Sequence, residues 1–172
     1  LCPITAVVGG FCLAGAAWMA HRSTQKPHAL HFAAISALLF AAQMMNFPIS
    51  GGTSGHLIGG VLAGALLGIP FGMLALALVL SVQALVFADG GLTVLGANVL
   101  NMAVIGAGLG GWLRLWLLKI LPTGGARNGI IATAAACWVS VTAAALACSL
   151  ELALSGVLPL QEVVPAMLGV HA

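Results

Sequence analysis

Charge is what this chain has least of. Five Lys or Arg and three Asp or Glu occur in 172 residues, 5% in all, against roughly 25% in a soluble domain. So little charge cannot solvate a globular surface. With 62% hydrophobic residues and a mean hydropathy of +1.18, the composition marks an integral membrane protein. Tyrosine is absent, so the role of interfacial aromatic anchor falls to Trp18, Trp112, Trp116 and Trp138, which lie near the ends of apolar runs. No Cys-x-x-Cys pair occurs, and Cys2, Cys12, Cys137 and Cys148 lie in or beside apolar runs. Neither a thiolate metal site nor a disulfide framework is indicated. The alternating pattern of an outer-membrane barrel is missing, which leaves helices as the spanning element.

What is present is a series of apolar runs: Pro3 to Ala20, Ala29 to Met45, His56 to Pro70, Phe71 to Ala88, Leu100 to Leu121, Gly129 to Leu150 and Val163 to Ala172. A spanning helix needs about 20 mostly apolar residues. The expected fold is therefore all-α, a polytopic transmembrane helical bundle of six spans plus the start of a seventh, forming one transmembrane domain over residues 1–172. Leu1 is not a methionine and Ala172 falls inside an apolar run, so truncation at both ends is expected.

Splitting Leu57 to Ala88 into two helices rests on Gly68-Ile-Pro-Phe-Gly72, because proline ends or bends a helix. A single span there would run about 48 Å, too long for a hydrocarbon core of about 30 Å. With that split and alternating spans, Arg22, Lys26, Arg114, Lys119 and Arg127 share one face. Asp89, Glu151 and Glu162, the only acids, fall on the other. Basic residues mark the cytoplasmic side. The N-terminus, the loop ending at His56 and the loops from Asp89 to Asn101 and from Glu151 to Glu162 are accordingly expected to face outward.

A polar device interrupts the apolar text at Asn46-Phe-Pro-Ile-Ser-Gly-Gly-Thr-Ser-Gly-His56. Pro48, Gly51, Gly52 and Gly55 disfavour helix, and irregular backbone at membrane depth is tolerated only where protein or a cavity covers it. His56 is expected in the first turn of the third helix. A neutral imidazole can give one nitrogen to a borderline divalent metal while the other is held by an acceptor, with Ser50, Thr53 and Ser54 as candidate holders. Helix capping by these hydroxyls and an interfacial role for the histidine explain the same residues.

The second polar stretch runs from Ala88 to Asn101. Asp89-Gly90-Gly91 reads as a turn. Asn98 and Asn101 share a helical face, where they could orient a ligand, and capping accounts equally well for Asn98. Gln43 and Gln83 lie within spans, where a buried amide wants a partner. His28 and His31 are one turn apart, yet charge sorting puts them with His21 on the cytoplasmic side, away from His56, as ordinary interfacial residues. The environment of His171 is not readable from sequence. Small residues at four-residue spacing, Ala16 and Ala20, Gly60 and Gly64, Gly106 and Gly110, permit close helix packing.

Long motifs here resemble the CbiM/NikM family, the substrate-binding membrane (S) component of energy-coupling-factor (ECF) nickel and cobalt transporters. They are Phe40-Ala-Ala-Gln-Met-Met-Asn-Phe-Pro48, Gly51-Gly-Thr-Ser-Gly-His-Leu-Ile-Gly-Gly60, Gln83-Ala-Leu-Val-Phe-Ala-Asp-Gly-Gly-Leu-Thr-Val-Leu-Gly-Ala-Asn-Val-Leu-Asn-Met102 and Met167-Leu-Gly-Val-His-Ala172. The resemblance implies an outward-facing, nearly planar nitrogen site for Co2+ or Ni2+ as transported substrate. His56 would be the loop ligand, with the others expected from a Met-His N-terminus that this sequence does not show. Asn46, Ser50, Thr53, Ser54, Gln83, Asp89, Asn98 and Asn101 are the candidate supporting residues. Planar nitrogen geometry suits nickel and accommodates cobalt, and resemblance to members serving cobalamin biosynthesis favours cobalt.

The chain has no Gly-x-x-x-x-Gly-Lys-Ser/Thr loop, so ATP is not expected to bind or be hydrolysed here. By resemblance the partners are an ECF transmembrane coupling (T) subunit, two ABC-type ATPase subunits and a small accessory membrane protein, in a bacterial inner membrane. No nucleic-acid partner is expected. A competing enzyme reading rests on Gly52-Thr53-Ser54-Gly55, which resembles the Gly-x-Ser-Gly nucleophile motif of rhomboid intramembrane proteases. Ser54 would need a base within hydrogen-bond reach; His56 is poorly placed for that, which leaves only His171. A helical scaffold subunit without a ligand is the third reading.

Overall fold

A computed structural model describes residues 1–45, 47–49, 53–122 and 125–171, and of residues 47–49, 53 and 54 the backbone only. Among the described residues seven helices follow one another: α1 (Cys2–Arg22), α2 (Ala29–Gln43), α3 (Gly60–Leu67), α4 (Ile69–Val86), α5 (Leu95–Ile120), α6 (Gly125–Leu154) and α7 (Leu160–His171). Between α2 and α3 the short strands β1 (Phe47–Ile49) and β2 (Thr53–Gly55) form an antiparallel hairpin, Phe47 opposite Gly55 and Ile49 opposite Thr53. Pro48 and Gly55, which disfavour helix, lie in these two strands.

The expected count of six spans and part of a seventh is not met. Among the described residues four helices, α1, α4, α5 and α6, are long and apolar enough to cross a membrane. α2 has 15 residues and α3 has 8, which at 1.5 Å per residue run about 22 and 12 Å, short of a core of about 30 Å. Both ends of α3 are set by glycine. Gly59 (φ +68°) and Gly68 (φ +86°) adopt left-handed backbone, and Pro70 stands in the first turn of α4. The break expected within Gly68-Ile-Pro-Phe-Gly72 is therefore real. His56 is not in the first turn of α3; it precedes that helix in non-helical chain.

α4 is the central element, packed against α1, α2, α3 and α5, and its Ala75 and Leu76 are fully buried. Backbone approaches backbone where glycines meet. A Cβ on Gly60 would lie 2.5 Å from the carbonyl carbon of Gly106, and one on Gly72 would lie 2.7 Å from the Gly64 nitrogen. Helices in lipid associate through such close packing, since lipid tails are as apolar as the side chains. The outward surface is apolar: Phe11, Leu30 and Ile130 are each about two-thirds or more exposed (75%, 73% and 69%). At the end of α1 the Arg22 guanidinium lies 4.5 Å from the centre of the Trp18 ring, a cation–π pair at a helix end.

α5 changes character along its length. Over Val99–Leu109 it is a π-helix, illustrated at its end by the Gly110 N–H reaching the Ile105 carbonyl. Such widened turns concentrate at functional sites, and this one includes Asn101.

The Gly60 contact makes a direct prediction. Gly60→Ala should lower unfolding stability in detergent by about 1–3 kcal/mol through overpacking against rigid backbone. Gly10→Ala, whose Cβ meets nothing within 4 Å, should be neutral or slightly stabilising in the same melt.

Candidate functional site

Polar groups from distant parts of the chain converge at the hairpin end of α5. Gln43, fully buried at the end of α2, donates its Nε2 hydrogen to the Ile58 carbonyl at 2.8 Å. That bond anchors the irregular chain just after His56, and it is the partner that a buried amide in α2 requires. α7 packs against α6 and touches the hairpin. A cavity of about 90 Å³ results, lined by His56, Asn98, Asn101, Cys148, Met167 and His171 among others. It is roomy enough for an ion with some water, because one water needs roughly 10–15 Å³. His56 and His171 also border a wider cleft of about 420 Å³ beside Ser140 and Val170.

Asn101 is buried and donates from Nδ2 to the Glu151 carboxylate Oε2 at 2.7 Å, joining α5 to α6. His171 Nδ1 lies 2.8 Å from the Met167 carbonyl one turn back, and His56 Nδ1 lies 3.5 Å from the Leu57 carbonyl. Burial strips water from His56 and lowers its pKa below 6.5, and the nearby His171 adds to this. The Leu57 carbonyl and the negative field of Asp89 oppose the shift without cancelling it. His56 is therefore held neutral at pH 7, the form in which imidazole binds metals.

Sequence reasoning placed Asn98 and Asn101 on one face, and both line the cavity with His56. Asn98 makes no side-chain capping bond. Asp89 acts on His56 through its charge and does not line the cavity. Gln83 is buried in α4, away from the cavity lining, and its backbone carbonyl accepts the Phe87 and Asp89 N–H groups. Asn46 and Ser50 lie outside the described residues, as do the side chains of Thr53 and Ser54, whose backbone forms β2. His28 is a helix cap, its Nδ1 accepting the Leu30 N–H at 3.3 Å. No group of three His, Cys, Asp or Glu able to hold a metal occurs among the described residues.

Three contributors escaped the sequence reading. His171 lies 115 positions from His56 (171 − 56), and no spacing rule joins them. Glu151 was counted only as an acid on the outer face, although any carboxylate in so apolar a chain invites a partner. Gln43 was read as a buried amide with no destination.

Several helices long and apolar enough to cross a membrane, with two imidazoles on the wall of one small cavity, define a multi-pass membrane protein. The family model for CbiM, the cobalt uptake substrate-specific transmembrane region, matches residues 1–172, and the chain belongs to this family. A putative fused nickel transport protein NikMN from Archaeoglobus fulgidus is 45% identical over 72% of this chain and 40% of its own length. A cobalt transport protein CbiM from Sorangium cellulosum is 36% identical over 71% of this chain and 53% of its own. The chain thus spans about half the length of these curated relatives. The crystal structure of a truncated transition-metal transporter superposes with a TM-score of 0.88 at 33% identity, covering 99% of this chain and 83% of that one. These relatives are transport proteins, and none of the three supports the serine-protease reading of Ser54.

The electrostatics of His56 are testable by an NMR titration of the metal-free protein in detergent. Its imidazole should titrate below 6.5. Asp89→Asn, which removes a charge that favours the protonated form, should lower the midpoint further, and His171→Ala should raise it. A wild-type midpoint at or above 6.5 would contradict the burial argument.

Proposed function

We propose that this chain is the substrate-capture subunit of an ATP-driven ECF-type importer for a divalent transition metal, Co2+ or Ni2+, with cobalt for cobalamin biosynthesis favoured. The observation that carries the reading is His56, an imidazole kept neutral by burial and anchored through the Gln43–Ile58 bond at the edge of a cation-sized cavity. Nitrogen donors suit both ions. The further donors implied by the family resemblance, an N-terminal Met-His, are not among these residues, which contain no Met-His pair. Asn46, Ser50, Thr53 and Ser54 would support the loop that presents His56.

The orientation that goes with this function puts the site and the N-terminus outward in a bacterial inner membrane. Support comes from the way connections gather. The α1–α2 connection at Lys26 borders the same cleft as the α3–α4 break at Gly68 and Pro70, whereas His56, Asn98 and His171 share another. This is the sorting expected if basic connections face the cytoplasm. There the chain would meet the T subunit and, through it, two ABC-type ATPases, with a small accessory membrane protein completing the importer. The residues show no nucleotide-binding loop, so the energy is supplied by those partners.

Calorimetric titration of the full-length protein with Ni2+ or Co2+ tests the reading. His56→Ala should weaken binding by about 100-fold or more, beyond the 10–100-fold typical of losing only a supporting residue. Because burial lowers the pKa of His56, its share of the binding should resist mild acidification better than an exposed imidazole would. Unchanged affinity in His56→Ala would remove the site assignment.

A further inference from the structure

We propose that the cleft at the α1–α2 connection and the apolar groove beside it form one binding site for an anionic phospholipid, with the phosphate held by Lys26 and His31 and an acyl chain lying along α5. The inference goes beyond metal capture and stands without it.

The cleft has a volume of about 450 Å³, and Ser23, Gln25, Lys26 and His31 line it opposite Pro70 and Phe71 in the first turn of α4. None of the chain's three acids lines it. Lys26 therefore brings a positive charge that no carboxylate in the cleft balances, and its ammonium has three hydrogens to donate. The His31 ring and the Gln25 amide carry further N–H donors. Ser23 Oγ donates to the Gln25 carbonyl at 2.8 Å, which ties the connection back on itself beside Lys26. α2 and α4 both begin at this cleft, so the partial positive charge of their N-termini adds to that of Lys26. A phosphate matches this surplus of donors and positive charge.

The second observation is apolar. Pro70 also lines a groove of about 670 Å³, together with Met19 of α1 and Gly108, Leu109, Trp112 and Leu115 of α5, so the two cavities share a wall. Gly108 to Leu115 spans seven positions (115 − 108), about 10 Å along the helix at 1.5 Å per residue. That stretch leads from the end of α5 that carries Lys119 towards the middle of the helix. An acyl chain entering beside the phosphate would follow it. Leu109, Trp112 and Leu115 are 59%, 64% and 46% exposed, and the Trp112 indole suits the headgroup level. A free anion would fill the cleft and leave the groove empty, whereas a phospholipid occupies both. Basic pockets between helices on the face where positive connections gather are suited to anionic headgroups.

Native mass spectrometry of the full-length protein, offered phosphatidylglycerol and phosphatidylcholine together, tests the preference. Phosphatidylglycerol with a photoreactive acyl chain tests the place. Wild type should retain phosphatidylglycerol over phosphatidylcholine, and the cross-links should map to Met19, Leu109, Trp112 or Leu115. Lys26→Glu combined with His31→Ala should lower retained phosphatidylglycerol by about 10-fold or more, because the attraction of each basic residue for an anionic lipid is lost or reversed. The wild-type cross-link map decides the question even if that variant fails to fold. Equal retention of the two lipids, cross-links scattered around the whole chain, or displacement of the lipid by inorganic phosphate would each overturn the proposal. So would a groove covered by a second copy of the chain or by another importer subunit in place of lipid.

Discussion

The close approach of Gly60 to the Gly106 backbone is the constraint on which the rest of the structure depends. Any side chain at Gly60 would meet the main chain of α5 within 3 Å. With that contact made, α3 starts against the π-helical stretch of α5, and the irregular segment before it lies beside Asn98 and Asn101. Gln43 then secures the segment from the α2 side through the Ile58 carbonyl. His56 owes its position to two restraints, one of packing and one of hydrogen bonding, and neither involves the imidazole. A histidine held in this way does not depend on its ring nitrogens for its place.

The cavity shows how a chain with almost no charge spends what it has. Of three acids in the sequence, Glu151 is bonded to Asn101 at the cavity wall and Asp89 acts electrostatically on His56. The basic residues contribute nothing to this cavity. A divalent ion brought into low dielectric needs neutral nitrogen donors with negative charge at a distance, because every unpaired charge there is expensive. Burial lowers the pKa of His56, Glu151 sits behind the Asn101 amide, and Asp89 acts on His56 from a distance.

Much of the fold was legible because lipid imposes simple rules. The seven apolar runs became seven helices, and Gly68 with Pro70 divided α3 from α4 at the expected break. Lengths were less legible. Leu57 to Gly59 read as helix by hydropathy, yet the left-handed Gly59 keeps them irregular, leaving α3 with 8 residues. The π-helical run in α5 has no signature in Val99–Leu109. At the site, the local signals named His56 and the one-turn pair Asn98 and Asn101, which line one cavity. What failed was contact at long range, since Asn101 meets Glu151 because α6 folds back on α5, and His56 shares its cavity with His171 because α7 folds back on α6 and the hairpin.

Anomalous diffraction at the cobalt edge, from crystals of the full-length protein grown with Co2+, tests the central claim most directly. The account predicts one strong peak inside the cavity bounded by His56, Asn101 and His171. A peak elsewhere, for example beside His21, His28 or His31, with none in that cavity, would contradict it.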